Sequence, residues 1–92
     1  MTRIKIEVLI WDRKNTIHIQ KHSVTKIETE VAVSNFVYYE QAHSGRYLLV
    51  GKSGKRILSV ILDRKSAKTY YVVTVRDASK KEKKKLYKIE NL

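Results

Sequence analysis

The chain has 92 residues, 42% of them hydrophobic, and sets 20 Lys+Arg against 9 Asp+Glu for a formal net charge of +11. That length supports one modest core, so residues 1–92 are expected to form a single domain. The absence of cysteine excludes a disulfide framework or a thiolate metal site, and no apolar run approaches the roughly 18–20 residues of a membrane span.

Taken in chain order, "RIKIEVLIW" (3–11) alternates charged and apolar residues up to Val8, the period of a strand with one wet face. Glu7 interrupts its apolar character, Asp12 ends it and no small-residue cleavage site follows, so it does not read as a signal peptide. A cytoplasmic location is therefore expected. Asp12 offers an N-cap with Asn15 three residues on, which predicts a first helix from about Arg13 to His22. Thr25 followed by Glu28 forms a capping box for a second helix that fades near Ser34, with Ile27 and Val31 one turn apart.

Four strand candidates follow: "FVYYE" (36–40), "RYLLVGK" (46–52), "KRILSVILD" (55–63) and "TYYVVTVR" (69–76). Their short links favour antiparallel neighbours, and alternation places Val72 and Thr74 on the strand face of Arg76, with Tyr71, Val73 and Val75 on the other. A last helix begins near Ser79 with Glu82 at its capping-box position, an apolar stripe of Leu86 and Ile89, and lysine over most of the rest. Helices segregated beside an antiparallel sheet meander predict an α+β fold, with two N-terminal helices and a basic C-terminal one.

The charge is distributed through the chain. Residues 76–92 hold seven basic and three acidic residues, net +4, which leaves thirteen basic and six acidic in residues 1–75, net +7. The folded body is thus itself cationic, and such a field attracts phosphate backbones, anionic surfaces or an acidic protein partner. A surface made only for solubility needs a smaller charge of either sign.

Three stretches carry a resemblance. "WDRKNTIHIQKHSVT" resembles the N-terminal signature of the BrnT toxins, "GRYLLVGKSGKRILSVIL" is similar to their central hairpin, and "TVRDASKKEKKKLY" to their C-terminal motif. The three are collinear from Ile10 to Tyr87. The resemblance implies a RelE-like α+β fold and a metal-independent ribonuclease that arrests translation, with no cofactor. It implies RNA as substrate and a cognate antitoxin as partner, in a toxin–antitoxin hetero-oligomer. No membrane is expected, and self-association is left open. The sequence departs from the signature at Ser23, where the family has glycine, and at His18, where it has asparagine. A serine in a left-handed turn there costs up to about 1–2 kcal/mol.

Arg76 is the first catalytic candidate. It stands where a strand runs into a helix N-terminus, and its fork suits the charge on a cleaved phosphodiester; the alternative is a structural pair with Asp77 or Glu82. His22 is a candidate general base beside Lys21, whose ammonium favours a neutral imidazole; the alternative is a helix-capping histidine. Glu82 is base, capping partner or ion-pair member. Ser79 and Lys80 open the last helix and add a hydroxyl and an ammonium for phosphate, joined by Lys83, Lys84 and Tyr87 as RNA contacts. Arg46 and Arg56, at the starts of successive strands, extend the same surface. His18 and His22 have a spacing that can share a metal, but no third ligand accompanies them, so no metal is expected. The other readings are a non-catalytic nucleic-acid-binding module of the same fold and a basic domain that binds an acidic protein.

Overall fold

A computed structural model describes residues 4–91. The elements are β1 (Val8–Ile10), α1 (Arg13–Gln20), α2 (Lys26–Ser34), β2 (Phe36–Gln41), a 3-10 turn (His43–Gly45), β3 (Arg46–Ser53), β4 (Arg56–Arg64), β5 (Thr69–Asp77) and α3 (Lys80–Glu90). The strands form one five-stranded sheet in the order β1-β5-β4-β3-β2, and the fold is α+β. β2 to β5 make the antiparallel meander that their short links require. β1 instead pairs parallel with β5, Leu9 opposite Tyr70, so the sheet is mixed. The short-link rule constrains only consecutive strands, and β1 reaches β5 after a long crossover. The strand is shorter than its alternation predicts. Ile4 and Ile6 pack on the core ahead of the ladder, and Arg3 lies outside the described residues.

All three helices start with reciprocal capping boxes, Asp12 with Asn15, Thr25 with Glu28 and Ser79 with Glu82. α1 stops at Gln20, two residues short of the expected end. Ser23 N–H donates to Gln20 O and Val24 N–H to Ile19 O, a Schellman closure that folds buried Val24 back onto buried Ile19. Ser23 therefore sits at φ 56°, the left-handed conformation that glycine adopts without strain. Between β3 and α2, Gly51 is required by contact: a Cβ there would overlap the Ala32 carbonyl oxygen.

Two apolar clusters sandwich the sheet. On the inner face, α1 and α2 cover Leu49, Leu58, Val60, Leu62, Val72 and Val75. On the opposite face, α3 sets Leu86 over Val50 and Ile57, with Tyr38 and Ala78 alongside. The face of Arg76 differs from the expectation of simple alternation. Ile61 pairs with Thr74 but Leu62 with Val72, so Val73 is an extra residue in β5. This bulge puts Val75 on the inner face with Val72, and turns Arg76, Thr74 and Tyr71 to the α3 face.

Candidate nucleic-acid interface

Arg76 lies opposite Ser59 in the β4–β5 ladder, beneath the first turn of α3. Its guanidinium donates from Nη1 to Glu82 Oε1 at 2.8 Å and from Nη2 to Glu82 Oε2 at 3.0 Å, a two-pronged ion pair. Nη1 also donates to Asp77 O at 3.2 Å. Among the described residues these bonds engage three of the five guanidinium N–H groups, leaving Nε–H and one N–H of Nη2 without an acceptor. The Arg76 side chain is 41% exposed, so a ligand can approach it.

Glu82 is held from every side. Its Oε1 accepts from the buried Ser59 hydroxyl at 2.7 Å and from Ser79 N–H at 2.9 Å, as well as from Arg76. The Arg76 hydrogen bonds, aided by Ser79 and Ser59 and opposed by burial, lower its pKa from 4.5 to about 2. A carboxyl with a depressed folded pKa stabilises the fold above its unfolded pKa, and that stabilisation is lost as pH falls through the folded value. Acid should therefore weaken the wild type between about pH 4.5 and pH 2, by about 2 kcal/mol after allowing for solvent screening at Arg76. Urea denaturation at a series of pH values should show a shallower acid limb for Glu82→Gln. Identical limbs would mean that the pair contributes nothing to folding.

Beyond the rows that α3 covers, the same face of the sheet is half-exposed. The sheet rows run Thr74–Ile61–Leu48–Glu40 and then Tyr71–Asp63–Arg46, since cross-strand partners share a face. Between these rows and α1 lies a cleft of about 660 Å³, with Lys14 and His18 on the helix wall and Arg46, Asp63, Tyr71 and Thr74 on the sheet. α1 is fixed against β5 by Asn15, which is buried and donates to Val72 O at 3.0 Å and Ile10 O at 2.9 Å. Tyr71 OH donates to the Asp12 carboxylate at 3.0 Å. On the other flank, Lys81, Lys84, Lys85 and Lys88 share a side of α3, with Lys85 bonded to Glu40 at 3.0 Å and 4.8 Å from the Tyr38 ring centroid.

The structure thus gathers some of the expected residues and separates others. Arg76, Glu82 and Ser79 form one cluster, with Lys80 exposed on the first turn of α3. Arg46 lies across the open face from them, one row of the sheet beyond Thr74. Lys84 belongs to the lysine flank, whereas half-buried Lys83 and exposed Tyr87 fall on other sides of α3. Lys21 and His22 are exposed in the turn after α1, where the His22 ring meets His18 edge-on at 5.9 Å. The described residues contain no group of three or more His, Asp or Glu side chains that could hold a metal ion.

Arg56 is engaged elsewhere. It donates to both oxygens of Glu28, to both oxygens of Asp77 and to Ser23 O, at 2.8–3.1 Å. It ties α2, β5 and the α1–α2 turn to the start of β4. Lys14, His18, Asp63 and Tyr71 come to the cleft without a motif to mark them as a group. Only the strand register and the docking of α1 bring them together.

No family model and no curated protein sequence matches the chain. Among solved structures it is similar to the crystal structure of the Brucella abortus ribonuclease toxin, BrnT, with 25% sequence identity and a TM-score of 0.62 over 79% of this chain and 97% of that one. No described helix is long and apolar enough to cross a membrane. The α+β arrangement, with its mixed sheet, is a BrnT-like fold.

Proposed function

We propose that this chain is the toxin of a toxin–antitoxin pair, an endoribonuclease that cleaves RNA without a metal ion, inhibits translation in the cytoplasm and is silenced when its antitoxin covers the basic face. The observation that carries the reading is Arg76, anchored by Glu82 and left with two unengaged N–H donors beside a half-exposed sheet face. A phosphodiester held there meets a fork fixed before it arrives, so little reorganisation is needed as charge builds on the phosphorane. The RNA 2′-hydroxyl attacks phosphorus and gives its proton to His22, with Lys21 beside it. The P–O5′ bond breaks, O5′ takes a proton from solvent water, and protonated His22 gives its own proton to the hydroxide so formed; the products are a 2′,3′-cyclic phosphate and a 5′-hydroxyl. Glu82 acts through Arg76: a carboxyl with a pKa near 2 is a weak base at neutral pH. Arg46, Ser79, Lys80 and Lys84 hold the strand on either side, whereas Lys83 and Tyr87, on other sides of α3, take no part.

The purified chain, free of antitoxin, should cleave labelled RNA in the presence of EDTA, alone or with ribosomes, and its expression should arrest growth. A 2′-deoxy substitution at the cleaved nucleotide should block the reaction. The +11 charge should make RNA affinity fall steeply with added salt. Absence of cleavage both with and without ribosomes would end the enzyme reading. The ion pairing of Arg76 also fits a second reading, a non-catalytic RNA-binding module, which predicts salt-dependent binding and no cleavage.

A further inference from the structure

We propose that the cleft beside α1 is a base-reading subsite that takes one unstacked guanine nucleotide of the RNA. This rests on the reading of the chain as an RNA-binding protein and adds the identity of a base. Arg46, Asp63 and Tyr71 are successive cross-strand partners on one face, so a cation, a carboxylate and an aromatic ring stand in a row about 5 Å apart. The cleft they line, about 660 Å³, is roomy enough for a nucleotide.

The side chains differ in what they have left to offer. Tyr71 is held through its hydroxyl by Asp12, which fixes the ring as a platform for stacking. Asp63 Oδ2 accepts from Lys65 at 3.2 Å, while Oδ1 has no partner among the described residues. Arg46 is exposed and makes no side-chain hydrogen bond or ion pair among the described residues. A base flat on Tyr71 presents its pairing edge to Asp63 and Arg46. Guanine matches both: its N1–H and N2 amino group donate to the carboxylate, and its O6 accepts from the guanidinium. Adenine offers one amino donor and one ring acceptor to the same pair, cytosine one amino donor and two acceptors, and uracil no amino group at all. The sugar-phosphate then lies toward Lys14 on the α1 wall, where an ammonium is available to it.

The test uses the full chain and two short RNA probes, oligouridine and the same oligomer with a single guanosine, compared by fluorescence anisotropy at fixed salt. The guanosine oligomer should bind about tenfold more tightly, and Asp63→Asn should reduce that ratio to within about twofold. Arg46→Gln should reduce it as well, and contacts from guanosine to the Tyr71 ring protons should appear in NMR spectra. Circular dichroism confirms that each variant is folded. Equal affinity of the wild type for both oligomers overturns the subsite while leaving RNA binding intact. Failure to bind either oligomer at low salt overturns both.

Discussion

Arg76→Ala is expected to lower RNA cleavage by about 10²–10³-fold, the scale of losing one strong electrostatic donor at a transition state. Three bonds hold the guanidinium against Glu82 and the Asp77 carbonyl, so its remaining donors are presented in one orientation. Arg76→Lys separates charge from geometry. An ammonium keeps the attraction for phosphate but cannot grip both Glu82 oxygens and a phosphate together, so binding should recover more fully than turnover. Glu82→Gln tests the anchor from the other side: turnover should fall by about tenfold while RNA affinity holds or rises, because a negative charge has gone. Lys84→Ala should weaken binding at low salt and leave turnover of bound RNA nearly unchanged. Single-turnover kinetics on saturating RNA distinguish these outcomes. If Arg76→Ala folds normally and cleaves as well as the wild type, the guanidinium is only a strut between β5 and α3.

The parts of this fold that were legible in the sequence depend on neighbours a few residues away. Asp12 with Asn15, Thr25 with Glu28 and Ser79 with Glu82 mark their helix starts because each cap is closed by a residue three positions on. The meander was legible through its short links. The parallel seat of β1 on β5 was not, because nothing within residues 8–10 records a partner some 60 residues away. The bulge at Val73 was hidden for a related reason. Strict alternation over "TYYVVTVR" is self-consistent, and only the register against Ile61 and Leu62 shows the extra residue. That one residue decides which face Arg76 occupies. For the site, the strand-to-helix junction marked Arg76, and Glu82 was visible as a capping residue. That Glu82 holds the guanidinium was one of the readings left open by the sequence, and the docking of α3 selects it, as the alignment of β3, β4 and β5 sets the row of Arg46, Asp63 and Tyr71.

Arg56→Met should destabilise the fold by about 2–3 kcal/mol, enough to lower the midpoint of thermal unfolding by about 10–20 °C in a chain of this size. The arginine engages two carboxylates and a backbone carbonyl that belong to three separate segments. Its removal leaves Glu28 and Asp77 facing one another without the cation between them. The Glu28 pKa is lowered first by the Thr25 backbone hydrogen bond and then by Arg56, so the carboxylate stays charged when the arginine is gone. Partial exposure limits the loss, since the Arg56 side chain is 29% exposed and that of Asp77 61%, and water can solvate what is abandoned. The left-handed turn at Ser23 raises the stakes, because Arg56 holds the Ser23 carbonyl at 2.8 Å and so braces a strained backbone. Arg56→Lys should recover little, as one ammonium cannot reach both carboxylates and the carbonyl together. Urea denaturation measures the stability, and RNA binding at low temperature, where each variant is still folded, measures the interface. A cross-brace predicts a large shift in the urea midpoint with RNA affinity nearly retained. If RNA affinity falls steeply while the midpoint stays put, Arg56 belongs to the RNA face, and the cluster of Glu28, Asp77 and Ser23 only stores its side chain until RNA arrives.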